Sequence, residues 1–130
     1  MNRTAIVTGA TSGFGRAIAL RLAGLGYRLI VTGRRKELLD TLTAEISEKY
    51  SVSVLALNFD VRDFKACEEA VNSLPDEFKS IDLLVNNAGL AAGAAPFDQS
   101  LLDDFDRMID TNVKGLLYMT QLIVPEMIES

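Results

Sequence analysis

The chain has 130 residues, with 18 acidic and 13 basic side chains and a formal net charge of -5 at pH 7. This length is enough for one domain, and the acidic balance disfavours nucleic acid or an anionic membrane surface as the main partner. The sequence contains one cysteine and no histidine, which excludes an internal disulfide and a Cys/His metal site, so we predict no metal ligands.

The single cysteine, Cys67, shares a helical spacing with the apolar residues Phe64, Val71 and Leu74, so we expect it in the core. No apolar run approaches the roughly 18 residues that a membrane-spanning helix needs. The N-terminus enters a predicted strand within a few residues, which is not typical of a signal peptide. We therefore expect no membrane contact and a reducing, cytoplasmic location.

Short apolar runs alternate with amphipathic stretches along the chain. The predicted strands are residues 4–8, 28–32, 52–58 and 81–86. The predicted helices are residues 16–25, 35–50 and 64–74, and a last helix that begins near Ser100 and carries apolar side chains from Ile109 to Met127, interrupted by Gly115. The order βαβαβαβα predicts the α/β class: one domain over residues 1–130 with a Rossmann-like, doubly wound parallel sheet. We expect strand order 3-2-1-4 and a ligand crevice between strands 1 and 4.

A glycine-rich turn joins the first strand to the first helix. The segment Thr8–Gly15 contains three glycines in the pattern Gly-x-x-x-Gly-x-Gly. Glycines let the backbone approach an anion closely, and the free N–H groups at a helix start then face the bound phosphates. The turn therefore predicts a dinucleotide-binding site, with a glycine-rich turn that holds no ligand as the alternative.

The residues at the end of the second strand indicate which dinucleotide is bound. Binding of NAD uses a carboxylate about 20 residues beyond the glycines, to hold the ribose hydroxyls. The sequence instead reads Thr32-Gly33-Arg34-Arg35, and two guanidinium groups can pair with a 2′-phosphate. We predict NADP. The alternative, a solvated helix start, is disfavoured because cations at a helix N-terminus need a nearby anion.

The chain resembles the first half of a short-chain dehydrogenase/reductase. Four motifs occur in the order found in that family: Thr8-Gly9-x-x-x-Gly13-x-Gly15, Asp60-Val61, Asn86-Asn87-Ala88-Gly89, and Asn112 within Asp110-Thr111-Asn112-Val113-Lys114-Gly115. Within the family, Thr-Gly-Arg-Arg and Met-Ile-Asp-Thr-Asn are similar to NADP-dependent 3-hydroxy acid dehydrogenases that oxidise serine or L-allo-threonine.

The resemblance implies a set of cofactor-binding residues. Residues 9–15 would cradle the pyrophosphate, Arg34 and Arg35 would bind the 2′-phosphate, and Asp60 would accept from the adenine amino group. Val61 would pack beside the adenine ring, and residues 87–89 would line the cofactor. The full set is Gly9, Thr11, Ser12, Gly13, Phe14, Gly15, Arg34, Arg35, Asp60, Val61, Asn87, Ala88 and Gly89. The structural alternatives are that Asp60 caps a helix beginning near Arg62 and that Asn86 only holds its turn.

The family's catalytic groups are only partly represented. Asn112 is a poor helix former, and the matching family residue kinks its helix and holds a water in a proton relay. The alternative is an exposed or capping asparagine. No Tyr-x-x-x-Lys occurs, because the residues four positions after the tyrosines are Val31, Val54 and Leu122. The resemblance implies that the family's catalytic Ser, Tyr and Lys would all come after residue 130. We therefore expect a chain truncated after the fourth strand and its helix, and inactive by itself.

Three functions remain open. The first is the cofactor-binding half of an NADP-dependent oxidoreductase that acts on a small hydroxy acid or other alcohol, its substrate bound only by the complete enzyme. The others are a non-catalytic NADP(H)-binding or assembly module and a truncation product without a role. A methyltransferase is disfavoured because S-adenosylmethionine carries no phosphate. An open edge on strand 4 and the apolar last helix predict a homo-oligomer through Ser100–Glu129.

Overall fold

The computed structural model of the chain describes residues 3–11, 13–88, 106 and 109–129. Among them, strands and helices alternate as predicted. The strands are β1 (Thr4–Val7), β2 (Arg28–Gly33), β3 (Val54–Asn58) and β4 (Leu83–Val85). The helices are α1 (Gly13–Gly24), α2 (Lys36–Lys49), α3 (Phe64–Asn72) and α4 (Gly115–Glu129). A 3-10 turn, Asp76–Phe78, follows α3, and a π-helical turn, Asp110–Lys114, leads into α4.

The strands form one parallel sheet in the order β3-β2-β1-β4, which confirms the predicted order and the Rossmann-like fold. The register places Ile6 of β1 opposite Ile30 of β2 and Leu84 of β4. Because all four strands run in the same direction, their carboxyl ends meet at one edge of the sheet. That edge is where ligands bind in open α/β sheets.

Two apolar cores cover the two faces of the sheet. Successive strand residues point to opposite faces, so Val7 and Val31 pack against α1 and α2 while Ile6 and Ile30 face the other way. The second core also contains Cys67 of α3, which is fully buried and confirms the prediction for that thiol. Burial on both faces explains why the strands read as continuous apolar runs.

The first helix starts earlier than predicted and buries small residues beside Leu22. The spacing of Phe14, Ile18, Leu22 and Leu25 indicates a helix from about residue 16, whereas α1 begins at Gly13. Its buried residues are Gly15, Ala19, Leu22 and Ala23. Phe14 is 82% exposed and Leu25 is 60% exposed. The small residues face the sheet, since small side chains let the helix pack close to it.

The other boundaries differ by a few residues. Strand β4 is shorter than predicted; beyond its two ends, the Asp82 carboxylate accepts from the Thr4 backbone N–H at 2.9 Å and the Asn86 side-chain amide donates to Thr120. The predicted last helix, interrupted at Gly115, is divided in the structure: a π-helical turn covers Asp110–Lys114 and α4 begins at Gly115. Its predicted start near Ser100 lies outside the described residues. No helix in the described ranges is both long and apolar enough to cross a membrane.

Candidate functional site

A cavity of about 260 Å³ opens at the carboxyl edge of the sheet. Segments that follow all four strands contribute to its wall. Its lining residues are Gly9, Thr11, Phe14, Thr32, Gly33, Arg34, Arg35, Phe59, Asp60, Val61, Asn87 and Ala88. The structure thus brings together most of the residues that the sequence singled out. Gly13 and Gly15 do not line it but belong to the same turn, whereas Ser12 and Gly89 lie outside the described residues.

Glycine occupies each of the three positions of the turn for a different physical reason. Gly9 and Gly13 have positive φ angles of 60° and 56°, which favour glycine. A Cβ on Gly9 would lie 2.7 Å from Ala88 Cα, and one on Gly15 would lie only 2.0 Å from the Gly9 carbonyl oxygen. A Cβ on Gly13 would meet nothing within 4 Å. The turn therefore packs tightly at Gly9 and Gly15 and leaves open space at Gly13, where α1 begins.

The loop after β4 is fastened to this turn by Thr8 and Asn87. The Thr8 hydroxyl oxygen accepts from the backbone N–H groups of Asn87 at 3.0 Å and Ala88 at 2.9 Å. The Asn87 side-chain amide donates to the Gly9 carbonyl oxygen at 3.1 Å. Asn87 thus both lines the cavity and holds the glycine turn, and Thr8 is a supporting residue that the sequence reasoning did not assign. Its position at the end of a strand, directly before Gly9, is the signal that could have identified it.

Two exposed arginines stand at the end of β2. Arg34 and Arg35 precede α2, and Arg35 occupies its N-cap position with no side-chain capping hydrogen bond. Both line the cavity. The arrangement places two cations at a helix N-terminus, where an anion is the favoured partner. The chemistry of this part of the wall therefore suits a phosphate.

Asp60 is held by Arg62 rather than capping a helix. Its carboxylate accepts from the Arg62 backbone N–H at 2.9 Å and from the Arg62 guanidinium at 2.6 Å. Burial raises the pKa of Asp60, but hydrogen bonds from the side chain and backbone of Arg62, with the charges of Arg62 and Arg34, outweigh it and lower the pKa below its ordinary value. The N-cap of α3 is Asp63, which accepts from the Ala66 N–H. The capping alternative for Asp60 is therefore wrong.

Asn86 bonds away from the cavity. Its side-chain amide donates to the Thr120 hydroxyl at 3.0 Å, and that hydroxyl donates to the Leu116 carbonyl oxygen at 2.7 Å. The pair ties the end of β4 to α4. This contact agrees with the structural alternative for Asn86.

Asn112 is not among the cavity-lining residues. It lies exposed in the π-helical turn before α4. A π-turn inserts an extra residue in the helix and frequently marks a functional position. The structure therefore shows the predicted irregularity of the helix at Asn112, and it does not bring that side chain to the cavity wall.

Three lining residues, Thr32, Gly33 and Phe59, were not predicted as site residues. Thr32 is 1% exposed, and its hydroxyl is a buried side-chain oxygen without a hydrogen-bond partner among the described residues. A Cβ on Gly33 would lie 2.8 Å from Thr11 Cγ2, so a larger residue there would displace the Thr11 side chain. Their places at or directly beyond the ends of β2 and β3 are the signal that could have found them. The described residues contain no cluster of three or more His, Cys, Asp or Glu side chains placed to hold a metal ion.

Comparison with known proteins assigns the family. The family model described as short chain dehydrogenase matches residues 3–130. The chain belongs to the short-chain dehydrogenase family. The predicted resemblance is confirmed, and the relatives of this short-chain dehydrogenase chain include proteins of the predicted subgroup.

Two curated relatives and one solved structure show the extent of the likeness. A serine 3-dehydrogenase of Agrobacterium fabrum is 46% identical over 129 residues, covering 99% of this chain and 50% of that protein. The NADP-dependent 3-hydroxy acid dehydrogenase YdfG of Salmonella typhi is 48% identical over 124 residues, covering 95% and 48%. A closed form of serine dehydrogenase complexed with NADP+ matches with a TM-score of 0.85 and 46% identity, covering 97% of this chain and 49% of that one. The chain spans about half the length of the curated relatives it matches.

Proposed function

We propose that the cavity binds NADP and that the chain is the cofactor-binding part of an NADP-dependent oxidoreductase. The single observation that carries this proposal is the pair Arg34 and Arg35, which line the same cavity as the glycine turn. The names of the relatives support it, because a 3-hydroxy acid dehydrogenase that matches is NADP-dependent and a matching serine dehydrogenase is complexed with NADP+.

Each part of the wall has a role in this proposal. The guanidinium groups of Arg34 and Arg35 bind the adenosine 2′-phosphate, and the N–H groups at the start of α1 receive the pyrophosphate. The Asp60 carboxylate accepts from the adenine amino group, and Val61 packs beside the ring. Further contacts come from Gly9, Thr11, Gly13, Phe14, Gly15, Asn87 and Ala88. Ser12 and Gly89 remain predictions.

The bound nicotinamide would supply or accept a hydride. The other reactant would be a small hydroxy acid or another alcohol or ketone, bound only by a complete enzyme. Asn112 would hold a water in the proton relay, a role that remains a prediction. Because no tyrosine of this sequence is followed four residues later by lysine, we expect these 130 residues to bind the cofactor without turning it over.

The proposal is tested by titrating the purified chain with NADPH and with NADH and measuring each dissociation constant by calorimetry. We expect NADPH to bind at least about tenfold more tightly, because hydrogen bonds to charged groups contribute about 1.5–3 kcal/mol. Equal or tighter binding of NADH contradicts the assignment of the arginines. Failure to bind either nucleotide contradicts the proposal as a whole.

An assembly role is the second candidate, and the outer face of α4 favours it. Leu117 is 56% exposed and Ile128 is 79% exposed, and Val113 of the preceding turn is half exposed. Such a row of apolar side chains is typical of an interface. We therefore propose a homo-oligomer through Ser100–Glu129; a cytoplasmic location stays a prediction from the sequence. Sedimentation of the chain and of Leu117→Asp tests the interface: an oligomer that the substitution dissociates supports it, and a monomeric parent chain overturns it.

A further inference from the structure

Gly115 lies against the wall of the cofactor cavity. It is buried and begins α4, directly after the π-helical turn that contains Asn112. A Cβ built on Gly115 would lie 2.6 Å from Val61 Cγ2, 3.0 Å from Val61 Cβ and 3.3 Å from the Val61 carbonyl oxygen. Unlike Gly9 and Gly13, Gly115 does not have a positive φ. Glycine is therefore required here by space and not by backbone conformation.

Val61 stands between this glycine and the cavity. It is 6% exposed, lines the cavity and also belongs to the core beneath α3 and α4, which includes Cys67 and Met119. Protein cores are close-packed, so Val61 has little room to move deeper into the core. A side chain at position 115 would therefore displace Val61 toward the cavity or push α4 away from it. Asp60, the neighbour of Val61 in the chain, would shift with it.

We propose that Gly115 is a positioning residue for the adenine side of the cofactor site. By carrying no side chain, it allows Val61 and Asp60 to take the positions in which they would meet the adenine ring. The same contact joins the start of α4, directly after the turn that contains Asn112, to the cavity-lining Val61. This inference rests on the proposed binding of NADP.

The experiment measures binding of adenosine 2′,5′-bisphosphate, the part of NADP that would meet this wall, to the purified chain by calorimetry. Gly115→Ala is compared with Gly24→Ala, a matched control in α1 whose new Cβ would lie 3.5 Å from the Tyr50 ring, an ordinary contact. We expect Gly115→Ala to weaken binding by about tenfold or more, equivalent to about 1.4 kcal/mol. We expect Gly24→Ala to bind as the parent chain does.

Val61→Ala separates a steric effect at the site from general loss of stability. It removes Cγ2, the atom nearest to the added methyl group. We expect Gly115→Ala to weaken binding by less than about threefold in the Val61→Ala background, because residues in contact show coupling in a double-mutant cycle. If Gly115→Ala does not fold alone, refolding and ligand binding of the double variant support the proposal. A double variant that stays unfolded while Val61→Ala folds overturns it.

The outcomes separate this inference from the proposed function. A parent chain that does not bind adenosine 2′,5′-bisphosphate overturns the NADP site and the positioning role with it. A parent chain that binds, with unchanged affinity in Gly115→Ala, overturns the positioning role alone. The positioning role is also overturned if Gly115→Ala weakens binding equally in the parent chain and in the Val61→Ala background, since the effect then does not pass through Val61.

Discussion

Arg62 donates hydrogen bonds from its guanidinium to both carboxylate oxygens of Asp60, at distances of 2.6 to 3.1 Å. The two side chains are about one-third exposed, at 32% and 29%. The pair keeps an acceptor ionised at the wall of the cavity that Arg34 and Arg35 also line. Protonation of Asp60 in acid, or replacement of Arg62, would remove this ion pair.

Arg62→Gln is expected to lower the free energy of unfolding at pH 7 by about 0.2–1 kcal/mol, the range of partly exposed ion pairs. The pKa of Asp60 is lowered from 3.8 in the folded chain, so its contribution is full above pH 3.8 and is lost as the pH falls through the folded-state pKa. Urea unfolding at pH 7 and at pH 3 measures the free energy of unfolding of the parent chain and of Arg62→Gln. We expect the difference between these two free energies to be smaller at pH 3. A difference that grows on acidification would contradict the assignment.

Arg34→Ala and Arg35→Ala are expected to weaken NADPH binding by about 10- to 100-fold each, because each removes charge-assisted hydrogen bonds of about 1.5–3 kcal/mol. Binding of NADH, which has no 2′-phosphate, should not change. Exposed Arg21, in the last turn of α1, provides the control variant Arg21→Ala with the same change in net charge. Parallel losses of NADPH and NADH affinity would show that the arginines do not read the 2′-phosphate.

Alanine substitutions at different positions of the glycine turn should lower the free energy of unfolding by different amounts. At Gly13, with φ of 56° and no atom within 4 Å of a new Cβ, we expect Gly13→Ala to cost about 1–2 kcal/mol from the left-handed backbone alone. Gly15→Ala meets the Gly9 carbonyl oxygen at 2.0 Å, and we expect a loss above about 3 kcal/mol or failure to fold. Urea unfolding followed by circular dichroism compares them. Equal costs would mean that the turn is looser than described.

Thr120→Val is expected to destabilise the chain by about 1–3 kcal/mol, because it leaves the Asn86 amide, a partly buried donor, without its acceptor. Thr120→Ser keeps the hydroxyl and serves as the control, with a smaller loss. Thermal unfolding of the two variants measures the difference. If valine and serine unfold at the same temperature, the Asn86 contact contributes nothing to stability.

Cys67 is expected to resist thiol reagents in the folded chain. Burial, with the charges of Asp63 and Asp60, raises the pKa of its thiol from 9.0 to about 11, and the thiolate is the reactive form. A disulfide reagent at pH 8 should label the chain in urea and not in buffer. The stabilisation from the neutral thiol is complete below pH 9 and is lost as the pH rises toward 11. Rapid labelling of the folded chain would contradict the burial of Cys67.

The predictable features are those that a local pattern encodes. Alternating apolar runs and amphipathic stretches predict the element order, and the glycines of residues 9–15 with Arg34 and Arg35 predict the site at the strand ends. The pattern did not predict the buried face of α1, where Ala19 and Ala23 are inside and Phe14 is outside. Alanine and glycine carry little hydrophobic signal, yet they permit the closest packing.

The sequence by itself determined the fold class, the strand order expected for it and the residue types at the cofactor edge. Only the tertiary structure decided that the Asn87 amide bonds the Gly9 carbonyl and that Gly115 packs on Val61. The physical reason is distance along the chain. Periodicity and turn chemistry report on neighbouring residues, whereas the approach of Gly115 to Val61 depends on how both helix layers pack against the whole sheet.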